Sequence, residues 1–311
     1  MDSLLLAFNT IFPMLILMLT GFVARRKNWF GEQAAIDSNR VVYSIFLPAI
    51  CFYGIYEMDY DSPINTDFLI WTAVSLTLIF IVATIIVHFT VRREYRASLA
   101  QAIFRSNYVL FGIPLAQSLL SPQLLGQVML PSVVAMPLYN IFAIFLFEYY
   151  GEQKFNYKKL FKGIVFNPII VSTLLGLAAW LLRIRFPYAI DKSISYLAQM
   201  ASPLALFALG AQFEFKAASA CWRELVWAVT SRLLIVPAIF LPITAALGFR
   251  GPEMVAAMVV FAGPVAVSSY SIAQEMGGDT VLPGQTLVYT SSFSIVTMFL
   301  LIWLMKSLGY I

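Results

Sequence analysis

Two arginines, Arg105 and Arg232, stand inside long apolar runs of this 311-residue chain. A charged side chain at the centre of a membrane helix costs about 2.5–3.5 kcal/mol on insertion scales, so each should face a protein interior. An arginine there can present its planar fork of N–H donors to a carboxylate. It can equally snorkel to an interface or bond carbonyls at a helix break, and spacing leaves both readings open. Asn107 follows Arg105 by two residues and precedes Pro114 by seven, two helical turns on roughly one face. Its amide suits a substrate oxygen or backbone groups freed by a break. Ser268, Ser269 and Tyr270 follow Pro264 within two turns. Their hydroxyls could line the same cavity, or their small size could serve close helix packing.

These side chains flank two Gly/Pro interruptions, Phe111-Gly112-Ile113-Pro114 and Ala262-Gly263-Pro264. A break at membrane depth leaves N–H and C=O groups unpaired, so it is tolerated only against protein or a wet cavity. The reading places new half-helices after Pro114 and after Pro264, each pointing free N–H groups and a positive dipole end at its break. Two such ends near the midplane suit an anion. Ordinary proline kinks packed against neighbours are the alternative. The one histidine, His88, sits beside the basic Arg92-Arg93 turn and reads as either a solvated interfacial group or a proton relay. Cys51 and Cys221 show no CxxC spacing, so neither a disulfide nor a metal site is expected. There is no phosphate-binding GxxxxGK loop, no HExxH and no GxSxG, so neither an enzyme nor a cofactor is expected.

The elements that must position these groups are membrane helices. Sixty per cent of the residues are hydrophobic and 12% charged, against about 25% charged in soluble domains. A bilayer core about 30 Å thick needs roughly 20 apolar residues per helix. Runs of that length predict spans at 4–24, 35–56, 68–91, 97–119, 127–147, 163–182, 194–213, 225–247, 253–274 and 281–305. With the N-terminus outside, 13 basic residues fall in inner loops, among them Arg25, Arg26, Lys27, Lys154, Lys158, Lys159, Lys162 and Lys216. Only 5 fall outside, where Glu57, Asp59, Asp61 and Asp67 gather. The positive-inside rule then puts both termini outside. The net charge of +4 follows these loops and is not a nucleic-acid signal.

Pro13, Gly21 and Pro48 recur 155 residues later as Pro168, Gly176 and Pro203, and Pro114 recurs after 150 as Pro264. Five spans per half reverse the second half in the membrane, which predicts an all-α membrane protein of ten transmembrane helices. The expected architecture is a 5+5 inverted repeat with helices 4 and 9 broken. The halves are read as 1–150 and 163–311, joined by a charged linker at 151–162.

Four motifs in order sharpen this reading: Asn107 through Gly112-Ile113-Pro114, Asn167-Pro168 through Gly176, Pro203 through Leu209-Gly210, and Ala262-Gly263-Pro264 followed by Ala273 and Asp279. In these the chain resembles the auxin efflux carrier family in its compact bacterial form. The resemblance implies a fold like that of Na⁺/H⁺ antiporters and bile-acid transporters, with spans 4 and 9 crossing at the site. It implies a scaffold of spans 1, 2, 6 and 7 and a moving core of spans 3–5 and 8–10. It further implies an inner-membrane secondary transporter of a small organic anion, auxin-like or a dicarboxylate such as malate or malonate. The substrate-binding set it suggests is Asn107, Gly112, Ile113, Pro114, Gly263, Pro264, Val265 and Ser268, with Arg105 or Arg232 adding charge. Asn167 matches a motif and also suits a helix cap. Plant carriers have a polar residue after the ninth-span proline, where this chain has Val265, and an acid inside the third span, where it has Asp67 at the end. Membrane lipid, H⁺ or Na⁺ coupling and a homodimer complete the expected partners. A Na⁺-coupled symporter of a bile-acid-type or neutral solute, with break carbonyls holding the ion, and a non-transporting receptor are the rival readings.

Overall fold

A computed structural model describes residues 2–57, 60, 64–121, 124–151, 165–211, 221–266 and 268–311. Residues 152–162 of the expected linker lie outside the described residues. So do Asp59, Asp61, Lys154, Lys158, Lys159, Lys162 and Lys216.

The described backbone is helical, with no strand among the described residues, and helix lies in each of the ten apolar runs. Helix α1 is Asp2–Arg26. Helix α2 comprises Glu32–Val41, a π turn at Val42–Phe46 and Leu47–Tyr56. Helix α3 is Thr66–Thr90, opened by Asn65, whose Oδ1 accepts from the Phe68 N–H. Helices α4, Arg93–Phe104, and α5, a π turn at Tyr108–Gly112 followed by Ile113–Leu119, share the fourth run. Then come α6 (Leu125–Tyr150), α7 (Pro168–Leu181), α8 (Tyr188–Ala211) and α9 (Trp222–Ala246). The ninth run holds α10 (Pro252–Ala262) and α11 (Ser268–Glu275), and α12 is Val281–Ser307. Four of these, α3, α6, α9 and α12, are long and apolar enough to cross a bilayer.

The fourth run breaks earlier than expected. Gly112, Ile113 and Pro114 are helical, and the interruption falls at Arg105–Asn107. The reason is local. Proline lacks an N–H and its ring crowds the carbonyl four residues back. A π turn, whose bonds reach five residues back, widens the helix just ahead of it. Pro48, Pro114 and Pro237 each stand two residues after such a turn. The Gly112 N–H accordingly reaches the Asn107 carbonyl, 3.3 Å away. Pro114 therefore bends no chain apart, and its 150-residue match with Pro264 does not mark equivalent breaks.

The helices pack as two bundles that meet along α1 and α12. Helix α1 lies along α8, and α2 lies along both α7 and α8. In the second, α3 packs on α4 and α6, and α9 packs on α10. Glycine sets the closest approaches in the first bundle. A Cβ on Gly21 would lie 1.9 Å from the Phe207 carbonyl oxygen, and one on Gly176 would lie 2.7 Å from that of Phe52. Adding 155 turns Gly21 into Gly176 and Phe52 into Phe207, so each contact is the other with its halves exchanged.

The ends of α1 and α7 match in the same way. Asn28 (φ 57°) and Arg183 (φ 53°) are the non-glycine residues with left-handed backbone among the described residues, again 155 apart. Each closes its helix by a pair of reverse-turn bonds. Asn28 N–H donates to the Arg25 carbonyl and Trp29 N–H to Ala24; Arg183 N–H donates to Trp180 and Ile184 N–H to Ala179.

Overpacking a helix contact costs about 1–3 kcal/mol. Gly21→Val and Gly176→Val should therefore each lower the thermal unfolding midpoint of detergent-solubilised protein by several degrees. Gly284→Ala is the comparison, because a Cβ there meets Tyr270 only at an ordinary 3.6 Å. Its midpoint should hold or rise.

Candidate functional site

The two interruptions meet. After Phe104 the chain extends through Arg105 (φ −88°, ψ 108°), and after Ala262 through Gly263 (φ −59°, ψ 149°). Ser106 and Val265 pair as an isolated antiparallel bridge. The Asn107 N–H donates to the Pro264 carbonyl at 2.7 Å, and the Val265 N–H donates to the Thr290 hydroxyl of α12 at 3.1 Å. The Ser106 hydroxyl donates to the Val259 carbonyl. Each break thus satisfies backbone groups of the other, which is what a buried interruption requires.

Close approach explains the two site glycines. A Cβ on Gly263 would lie 2.5 Å from Ser106 Oγ and 2.6 Å from the Val259 carbonyl oxygen. A Cβ on Gly112 would lie 2.1 Å from Val259 Cγ1. Ile113, Pro114 and Val265 are buried and apolar, and pack around the crossing.

The two arginines take different places. Arg105 is 3% exposed; its Nη1 donates to the Tyr139 carbonyl, and its Nη2 donates to Asn140 Oδ1 and Ser268 Oγ, all at 2.9 Å. Its Nε is buried with no hydrogen-bond partner among the described residues. Arg232 is 0% exposed and lies in the π turn Ser231–Ile235 of α9. Its Nε donates to the Gly263 carbonyl at 2.7 Å, its Nη1 to Ile103 at 3.1 Å and Phe104 at 3.4 Å, and its Nη2 to Val260. No carboxylate is paired with either guanidinium among the described residues. Arg232 takes the carbonyl-bonding reading that the sequence left open. Arg105 bonds one carbonyl, that of Tyr139, and two side chains.

Ser268 opens α11 beside Arg105, and the Ser269 hydroxyl is buried without a partner among the described residues. Asn107 is 4% exposed beside the bridge. Tyr270 is exposed at 38%. Asn167 lies elsewhere and caps α7, its Oδ1 accepting from the Ile169 and Ile170 N–H groups. His88 is also remote, at the end of α3, 3.4 Å from the Tyr150 hydroxyl.

Sequence reasoning missed Tyr139, Asn140 and Thr290. It also missed that Arg105-Ser106-Asn107, three consecutive polar residues inside an apolar run, are themselves the interruption. That triplet was the available signal. For Thr290 the cue was the hydroxyl repeat Thr286, Thr290, Ser294 at helical spacing.

A family model described as membrane transport protein matches residues 6–302. The chain belongs to this family, the auxin efflux carriers. It is 30% identical over 147 residues to a Rhizobium meliloti protein named "Putative malonate transporter", covering 47% of this chain and 46% of that one. The match therefore spans about half the length of that relative. A Methanothermobacter thermautotrophicus protein named "Uncharacterized transporter" is 22% identical over 297 residues, 93% of this chain and 95% of the relative. The family match takes in the fourth and ninth runs entire, so the crossing lies inside the shared region of this carrier family.

Gly263→Ala should disrupt the crossing because its methyl would strike both Ser106 Oγ and a fixed carbonyl. The thermal midpoint should fall, and adding Ser106→Gly should restore only part of it, since the Val259 carbonyl remains in the way. Full recovery in the double variant would show that the backbone contact is not tight.

Proposed function

We propose that this chain is a secondary transporter of a small organic anion working by alternating access, and that the crossing of α4–α5 with α10–α11 is its substrate site. One observation carries the proposal. The bridge at Ser106 and Val265 brings a guanidinium, Arg105, against the first turn of α11 with its Nε buried and without a partner among the described residues. An unpaired buried donor on a charged group costs more than a neutral one, and a carboxylate oxygen would satisfy it. The dipole ends of α5 and α11 add positive potential without further side chains.

The residues proposed to touch substrate are Arg105, Asn107, Ser268 and Ser269, with Gly112, Ile113, Pro114, Gly263, Pro264 and Val265 shaping the wall. Arg232 serves the backbone. A short dicarboxylate such as malonate is the first substrate to try, given the name of the relative matched over about half its length and the shortage of paired carboxylates around two cations.

Alternating access is supported by burial. Arg105, Asn107 and Ser269 are each under 5% exposed, so a solute can reach them only if helices move. The packing of α1, α2, α7 and α8 on one another supports a scaffold, which meets α12 along α1 and against which α3–α6 and α9–α12 would move. Ten spans in an inverted repeat are supported by the exchanged glycine contacts and the matched helix ends, since a two-fold axis relating the halves would produce both. Exposed Ile70, Val74, Leu78 and Ile85 along α3 suit lipid. The proposed setting is the bacterial inner membrane with both termini outside.

Radiolabelled malonate uptake into proteoliposomes tests this, with imposed pH and Na⁺ gradients compared. Wild type should show saturable uptake. Arg105→Gln should fold with a similar thermal midpoint and lose roughly tenfold or more in kcat/KM, equivalent to about 1.4 kcal/mol or more. Asn107→Ala should lose activity as well. A folded Arg105→Gln transporting like wild type would remove the proposed site. Ligand-induced stabilisation without flux for any carboxylate would replace transport by reception.

A further inference from the structure

The role of Arg232 goes beyond holding two helices near each other. Its guanidinium is fully buried and meets four carbonyl oxygens: Ile103 and Phe104 at the end of α4, Val260 in the last turn of α10, and Gly263 just beyond it. These are the C-terminal ends of two interrupted helices. Their last carbonyls lack intrahelical partners, and both ends carry negative dipole charge. Several backbone oxygens gathered around one small cationic group in a low-dielectric interior resemble the chemistry that elsewhere holds a desolvated monovalent cation. Here the space between them is filled from within. Four of the five N–H donors of a guanidinium are matched to carbonyls, and the π turn at Ser231–Ile235 delivers the side chain.

We propose that Arg232 is a built-in cation: it occupies an oxygen cluster that would otherwise require an alkali metal ion, so the crossing assembles without one. Deleting the guanidinium then creates a monovalent-cation site at the crossing. This inference rests on the carbonyl cluster and not on any substrate.

The experiment measures thermal unfolding of full-length protein in detergent, in sodium, potassium, choline or methylguanidinium chloride at equal ionic strength. Wild type should show the same midpoint in all four salts. Arg232→Ala should unfold at a lower temperature in choline and recover saturably with sodium, potassium or methylguanidinium at millimolar concentrations. An Arg232→Ala midpoint depressed equally in all four salts overturns the proposal, as does a wild type with a saturable sodium response. Should Arg232→Ala not fold in any salt, Arg232→Lys decides, because it keeps a charge with three donors. A monodisperse Lys variant carries the proposal, and an aggregated one overturns it. No transported solute enters the measurement, so its outcome is separate from that of the uptake assay.

Discussion

The Asn107 N–H bonded to the Pro264 carbonyl is the contact on which the rest depends. A helix cannot stop inside an apolar surround unless the groups it frees find partners, because each unpaired group costs several kcal/mol in hydrocarbon. Two interruptions facing each other solve the problem jointly. The bridge at Ser106 and Val265, the Thr290 hydroxyl and the Arg232 guanidinium together serve the backbone groups that α4 and α10 leave behind. Other features follow from this. Glycine is needed at 112 and 263 because the chains pass so closely. Hydroxylated residues line α12 where it meets the bridge, and the Arg232 charge sits where two carbonyl helix ends balance it.

The arrangement separates the two signs of helix dipole. Carbonyl ends of α4 and α10 face Arg232, which neutralises them with donors matched almost one to one. Amide ends of α5 and α11 lie beside Arg105, whose Nε has no partner. One arginine thereby serves the backbone, and the other keeps capacity for something else. The same side-chain chemistry does two jobs because the local backbone differs: Arg232 enters from an intact helix through a π turn, whereas Arg105 is part of the break.

Much of this was legible in the residues. Gly263-Pro264 marks the ninth-run break because glycine and proline together disfavour helix and nothing upstream compensates. Gly112-Pro114 looks equivalent, but a π turn absorbs the proline, and the fourth break lies at Arg105–Asn107 instead. Proline content alone does not distinguish a widened helix from a broken one; three consecutive polar residues in an apolar run do. The 155-residue recurrence was visible at Pro13, Gly21 and Pro48, and the structure adds contacts and helix ends at the same offset. The division of labour between Arg105 and Arg232 was not legible, since spacing says nothing about which carbonyls a long side chain reaches. Tyr139 and Asn140 were hidden because they stand in a mostly apolar helix with no break beside them.

The central claim is that the two interruptions are paired within one chain. Paired residues in an antiparallel bridge bring their Cα atoms to about 4.5–5.5 Å, within the range a disulfide spans. The direct measurement is oxidative cross-linking of Ser106→Cys with Val265→Cys, after replacing Cys51 and Cys221 with alanine and placing a cleavage site between the halves. The account predicts that the two fragments stay joined under oxidising conditions and part on reduction. Fragments that part under both conditions, with both cysteines present and the protein folded, would contradict it.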